Sequence, residues 1–562
     1  MQDIQRHFAT IRDGRWGSRQ VHYYKAGRGP VVVMLHQSPK SARDMLPAMA
    51  RWHGHFTLIA PDTPGYGLSD PIGTDCQMED FGAAVIEFLD ALGIERTGLY
   101  GFHTGAGMVM EVARQAPERI AAVVSNGYVV MTDDERADFL EQYLPPFLPS
   151  WDGSHLTWAW ARLREQTIFF PWYRRSLKAR MDNDVPDPAK LQAAVVELMR
   201  SGDYYRVAYR AAFEFRGGEV LTQIQVPALV TGADNDPLSA DLVKIKATSD
   251  SVTVSAGGNL EATLNKCRDF LLANAAPEPP PTLATASIPG RMWNEMVSVD
   301  GGQLRVRRNT DANGQTLVVQ HDAASSADIV DPVSQSLVGQ RPVLAVDLPG
   351  HGESDNTIGE NDVTVARYRT VLGQALDSLG LEQVDFYGMW GGGLVGLDMA
   401  VAEPDRVRRL AMSNVLYHTD EERAELKANY TPLWEPDWYG GHLLMIWHMM
   451  RDQGLFWPWF KRGKAGIIWQ EPYIDTEMVN RRVLEVFKAP VMWRLAYQSH
   501  FDYPTHEQLA QVKVPTLLCS PRWDPNYPHS KAAHVAMPHC EFMELEGGIE
   551  DWSTGFLKFL DN

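Results

Sequence analysis

A chain of 562 residues is too long for one hydrophobic core and implies two large domains or several small ones. Its 44% hydrophobic and 22% charged residues are those of an ordinary globular protein, and a net charge of −19 sets nucleic acid and anionic membrane aside as partners, since both repel an acidic surface. Cys76, Cys267, Cys519 and Cys540 lack the spacing of a disulfide framework or metal site, no apolar stretch is long enough for a membrane span, and Met1 to Gln20 is polar, unlike a signal peptide. A cytoplasmic protein is the expectation.

In chain order, the first clear element is the β-branched run Val31–Val32–Val33–Met34–Leu35, ending in His36–Gln37. It is followed by Asp62–Thr63–Pro64–Gly65–Tyr66–Gly67–Leu68–Ser69–Asp70, a turn-rich loop after a second apolar run. Thr97 to Phe102 then reads as a strand and Met108 to Gln115 as an amphipathic helix, with Gly101–Phe102–His103–Thr104–Gly105 as a very tight turn between them. Glycines at 101 and 105 let strand and helix approach closely around a strained central residue. A strand ending in Ser125–Asn126 precedes a long helical stretch, roughly residues 132–222, dense in aromatics around Phe169–Phe170–Pro171–Trp172–Tyr173. A further apolar run, Ala228 to Thr231, leads to Asp234–Asn235–Asp236–Pro237, and Gly257–Gly258–Asn259 follows.

The same order then repeats. After a proline-rich stretch at 276–290, which reads as a stiff extended linker, come Leu317–Val318–Val319–Gln320–His321–Asp322, then Asp347–Leu348–Pro349–Gly350–His351–Gly352, then Gly388–Met389–Trp390–Gly391–Gly392. A second helical stretch covers about 420–510 and matches the first, with His155, Trp160, Gln166 and Trp172 against His442, Trp447, Gln453 and Trp459. Arg522–Trp523–Asp524–Pro525 and Gly547–Gly548–Ile549 close the second copy.

The tight turn has the spacing of the G-x-S-x-G nucleophile elbow, and with its preceding loops, twice in order, the chain resembles the α/β-hydrolase superfamily over nearly its whole length. The resemblance implies α/β architecture: two tandem hydrolase-fold domains, 1–275 and 291–562, each a mostly parallel sheet flanked by helices, with the long insertions as caps over the elbows. It also implies a nucleophile at the elbow, an acid after the seventh strand and a histidine in the next loop. Here the elbows hold His103 and Trp390, the acid positions hold Asp236 (or Asp234) and Asp524, and the histidine positions hold Asn259 and Ile549. Neither copy has a Ser-His-Asp triad.

Trp390 and Ile549 leave the second copy without chemistry, so it reads as a pseudo-enzyme with a packed apolar region where a site would be, Asp524 meeting Arg522 or a backbone donor. In the first copy an imidazole at 103 reaches further than a serine hydroxyl, and Asp236 stands where it would orient one ring nitrogen, a dyad able to act as general base. The N–H groups of Gln37 and Thr104 would form the oxyanion hole. Asn126, His155, Trp160, Phe169, Trp172 and Asn259 are the candidate substrate contacts. Two functional readings stand: an enzyme acting on a small apolar carbonyl compound such as an ester, lactone or diketone, or an inactive tandem that binds ligand or serves as a scaffold. No glycine-rich phosphate loop calls for a nucleotide, nothing points to a metal or cofactor, and homo-oligomerisation is left open.

Overall fold

The computed structural model describes residues 4–537 and 539–561. The chain divides into two compact units, Met1–Leu148 with Ser154–Ala286, and Pro149–Gly153 with Ser287–Asn562.

The first unit is built on β1 (Gln5–Gly14), β2 (Gly17–Ala26), β3 (Val31–Leu35), β4 (Thr57–Pro61), β5 (Thr97–Phe102), β6 (Ile120–Asn126), β7 (Ala228–Thr231) and β8 (Val252–Val254). They form one eight-stranded sheet in the order β1-β2-β4-β3-β5-β6-β7-β8, antiparallel at the β1, β2 and β4 pairings and parallel from there on. The central strands are buried along their whole length, which is why Val31–Leu35 and Ile120–Val124 are continuous apolar runs and not alternating ones. Helices Met78–Ala91, Thr104–Gln115 and Leu260–Ala273 cover the faces, while the helices between β6 and β7 begin at Asp133–Gln142, capped reciprocally by Thr132 and Glu135.

The second unit repeats the plan with β9 (Trp293–Val299), β10 (Gly302–Asn309), β11 (Leu317–Gln320), β12 (Val343–Val346), β13 (Val384–Met389), β14 (Val407–Ser413), β15 (Thr516–Ser520) and β16 (Glu541–Glu544). The strand order is β9-β10-β12-β11-β13-β14-β15-β16, the order of the first unit carried over strand for strand. Even the inserted helices start alike, at Asp420–Asn429 behind a Thr419–Glu422 capping box.

The proline-rich stretch does not run free. Up to Ala286 it is laid along the first unit: Val31 N–H donates to the Pro277 carbonyl at 3.0 Å, and the Thr10 hydroxyl to that of Ala286 at 2.6 Å. The Asp-x-Pro-Gly loops are structural hubs. Asp62, fully buried, accepts from the N–H groups of Ala42 and Leu68 and from His22 Nδ1 at 2.7–2.9 Å. Burial alone would raise its pKa, but His22 and these donors together hold it below the ordinary carboxylate value. A Cβ at Gly67, where φ is +55°, would lie 2.1 Å from Asp62 Oδ2, so this loop needs its glycine.

Candidate active site

The parallel pairing of β3 with β5 sets Leu35 beside Gly101, so the loop after β3 and the turn after β5 meet at the same sheet end. That turn is tight because its neighbours leave no room: a Cβ at Gly101 would lie 2.2 Å from the Gly105 carbonyl oxygen, and one at Gly105 would lie 2.3 Å from that of Leu35. His103 occupies the apex with φ 48° and ψ −109°, and Trp390 holds the matching place in the second unit with φ 46° and ψ −119°. A bulky residue in this region costs on the order of 1–3 kcal/mol.

His103 Nε2 lies 2.7 Å from Asp236 Oδ2. Asp236 follows β7 and caps the turn after it, its Oδ1 accepting from the Leu238 N–H at 2.8 Å. Its side chain is 8% exposed against 23% for His103. Burial pushes the Asp236 pKa up, yet the hydrogen bond and charge of His103, with the Leu238 N–H, bring it below the ordinary value. An ionised carboxylate only accepts, so Nε2–H is the donor and a neutral imidazole keeps its lone pair on Nδ1. Asp234, the alternative acid, is exposed.

Thr104 is the first residue of the helix Thr104–Gln115, so its N–H has no intrahelical partner, and Gln37 N–H has no backbone partner among the described residues. The Gln37 side chain is turned onto Asp44, Nε2 to Oδ2 at 3.1 Å. His36 is structural: Nδ1 donates to the Gln37 carbonyl at 2.8 Å and Nε2 accepts from the Thr63 N–H at 2.9 Å. Asn126 is buried, with its Nδ2 on the Tyr100 hydroxyl at 2.9 Å and its Oδ1 without a partner.

The remaining predicted contacts have partners of their own. Asn259 is exposed and caps the helix Leu260–Ala273, accepting from the Ala262 N–H at 2.9 Å. Trp172 is buried with its indole N–H on the Tyr143 carbonyl at 3.2 Å, and His155 packs against Phe147. Trp160 is buried in the helix Ser154–Ile168, and half-buried Phe169 lies under Arg180.

In the second unit polar groups stand at the elbow beside Trp390. Trp390 is half-buried, and Asp322, the counterpart of Gln37, accepts from the Gly391 N–H at 3.0 Å. His500 Nδ1 stands 3.4 Å from the same oxygen, and its ring fills the space in which a Cβ at Gly391 would sit. Asp524 accepts from the Asn526 N–H at 2.7 Å, while Arg522 pairs with Glu544 and not with Asp524. Burial raises the Asp524 pKa to about 6. Ile549 opens the helix Ile549–Asp561 and packs against the core. Sequence reasoning missed Asp322, whose contact with the elbow exists only once β11 and β13 are paired.

The family model for the α/β hydrolase fold matches residues 30–253 and 316–440, together more than half of the chain. The chain belongs to the α/β-hydrolase-fold family. It is 26% identical over 234 residues to an (E)-2-((N-methylformamido)methylene)succinate hydrolase of Acinetobacter baylyi, 40% of this chain and 78% of that protein. A haloalkane dehalogenase 2 of Mycobacterium tuberculosis is 33% identical over 119 residues, 20% of this chain and 41% of the dehalogenase. Among solved structures, an enol-lactonase from Burkholderia xenovorans aligns with 48% of this chain and 100% of its own, at 18% identity and a TM-score of 0.37. No described helix is long and apolar enough to cross a membrane.

Proposed function

We propose that the first unit is a hydrolase that uses the His103–Asp236 dyad as a general base on a small carbonyl compound, an ester, lactone or diketone. The observation that carries this reading is the 2.7 Å contact between His103 Nε2 and Asp236 Oδ2 on a backbone apex that is costly to maintain. With Nε2–H held by Asp236, Nδ1 takes a proton from water as that water attacks the carbonyl carbon. The negative charge on the carbonyl oxygen falls to the N–H groups of Thr104 and Gln37, and the imidazolium returns the proton to the leaving group. Water is consumed, and the acid and alcohol halves of an ester are released. The relatives support hydrolytic chemistry, since one is a hydrolase of a substituted succinate.

On the same reading the second unit does no acyl chemistry, because Ile549 supplies no base and Asp322 already occupies the elbow N–H. The test is a panel of activated esters, lactones and diketones on the full chain, beside His103→Ala. A positioned base contributes about 10²–10⁴-fold, so His103→Ala should cost at least about a hundredfold in kcat while the melting profile holds. Unchanged turnover by that variant removes His103 from the mechanism. A serine-directed phosphonate should leave positions 103 and 390 unlabelled, neither carrying a hydroxyl.

A further inference from the structure

The helices inserted between β6 and β7 enclose a cation that has no anion. Arg162, on the helix Ser154–Ile168, is 2% exposed. Its Nη1 donates to Gln166 Oε1 at 2.7 Å, one turn along the same helix, while Nε and Nη2 are buried without a hydrogen-bond partner. No acidic side chain among the described residues pairs with it. The rings of Tyr143, Trp172 and Tyr205 stand around its guanidinium carbon at 5.7, 5.4 and 5.4 Å. Ring faces attract a cation but accept no N–H in the plane of the guanidinium, so these two donors have no acceptor among the described residues. Buried charges are ordinarily paired, and an unpaired one is costly to keep.

Its surroundings connect to the loop after β3. Gln166 Nε2 donates on to the Tyr209 hydroxyl at 3.3 Å. The Tyr66 hydroxyl donates to the Tyr205 carbonyl at 2.6 Å, and the Tyr66 ring stands edge-on to His36, the residue before Gln37.

The second unit supplies an independent comparison. Gln453, the counterpart of Gln166, is likewise held by a guanidinium, here that of Arg482. Met449 takes the place that Arg162 has in the first unit, so the cation has moved to another helix and kept its glutamine. There the chain provides a carboxylate of its own: Asp322 reaches the elbow N–H, and the rings of Tyr430 and Tyr497 stand edge-on with centroids 5.1 Å apart. Those tyrosines correspond to Tyr143 and Tyr209, whose rings lie 5.6 Å apart. In the first unit the position of Asp322 is the neutral Gln37.

We propose that Arg162, with Gln166 fixing its fork, binds a carboxylate of the ligand, so that the first unit takes a carbonyl compound bearing a carboxylate and not a wholly apolar one. This deepens the proposed function and rests on it for the reaction, though not for the binding. The arginine fork fits a carboxylate with two parallel N–H donors, Nε and Nη2, which are the two left free.

The experiment is calorimetric titration of the full chain with acetate, succinate and benzoate, and with dimethyl succinate as the uncharged control. Wild type, Arg162→Met, Arg162→Lys and His103→Ala are compared, each checked by its melting profile. Methionine is the residue the second unit carries at this place, so its side chain is tolerated by the same fold. At least one carboxylate should bind saturably to wild type and to His103→Ala alike, about tenfold or more weakly to Arg162→Met, with Arg162→Lys between, and dimethyl succinate should not distinguish them. Carboxylate binding that survives Arg162→Met, or the absence of saturable binding by all three acids, overturns the proposal. Loss of turnover in His103→Ala with carboxylate binding intact separates the two readings, and failure of the dyad leaves the binding arm standing on its own.

Discussion

Asp236 and Asp524 occupy the same place in the two units, and their environments drive their acidities in opposite directions. Asp236 has His103 against it, whereas Asp524 is buried with the backbone and side chain of Asn526 as donors and no cation paired to it among the described residues. Its ordinary value of 3.8 is pushed to about 6 by burial. The sign follows from linkage: an acid held more strongly in its neutral form by the folded state stabilises that state least when ionised. The second unit is therefore most stable, as far as this group is concerned, below pH 3.8, and it loses stability as the pH rises from there to about 6. Above that the penalty is constant at about 3 kcal/mol. Asp524→Asn removes the charge and keeps the oxygen that accepts the Asn526 N–H. At pH 8 this variant should be more stable than wild type by up to about 3 kcal/mol, an increase of several degrees in the melting transition of the second unit. At pH 5 about half of that gain should remain. Calorimetric melts of both proteins at the two pH values measure it. A variant that is less stable than wild type at pH 8, or whose gain is as large at pH 5 as at pH 8, refutes the reasoning that Asp524 carries an uncompensated charge.

Asp236→Asn should act in the opposite sense. It removes a carboxylate whose pKa is depressed in the fold, so it should destabilise the first unit at neutral pH, a difference that fades as acid titrates the wild-type group below its ordinary range, and turnover should fall without vanishing as the imidazole loses the charge of its orienting carboxylate and the amide can present its NH₂ in place of its oxygen. Gly127→Ala should damage the site without touching its chemistry: at φ +72° the new Cβ would lie 2.4 Å from His103 Cδ2 and 3.1 Å from Asp236 Oδ2, and a displacement of about 1 Å in a catalytic group costs about a hundredfold. Rate and melting temperature of that variant together check it, and a fully active protein would show that the imidazole does not work from where it stands.

What was legible in the sequence was fixed by sterics and chain order. The elbows could be placed because only glycine tolerates the approach of Gly101 to Gly105 and of Gly105 to Leu35, and the strand succession placed Asp236 after β7, at the sheet end where β5 delivers His103. Elsewhere, proximity in sequence misled. Arg522 is two positions from Asp524 yet pairs with Glu544, because β15 and β16 lie side by side and bring Glu544 to it. Asn259 replaces a loop histidine but begins a helix, and its side chain is used as a cap, the role for which asparagine at that position is suited. Arg162 was invisible as a site because its charge says nothing by itself: its surroundings come from residues 143, 172 and 205, which are brought together only by packing.

The contrast between Gln37 and Asp322 bears directly on where chemistry can occur. An oxyanion hole works because its donors are fixed in advance and unspent, and removing one donor from such a hole costs about 3–4 kcal/mol. In the second unit the Gly391 N–H is already engaged by a carboxylate at 3.0 Å. A carbonyl oxygen gaining negative charge there would lose that donor and also meet a like charge, which at about 4 Å and an effective dielectric near 20 amounts to about 4 kcal/mol of repulsion. The two effects together would undo the stabilisation that the elbow geometry offers, whatever residue stood at position 390. In the first unit Gln37 is neutral and its amide is turned away onto Asp44, so the equivalent N–H of Thr104 is unopposed. A carboxylate on the ligand is compatible with that site only if its charge is held away from the developing oxyanion, and on the proposal made above that is the role of Arg162, set among the inserted helices beside Tyr205, whose carbonyl takes the Tyr66 hydroxyl and so links it to His36 in the loop after β3.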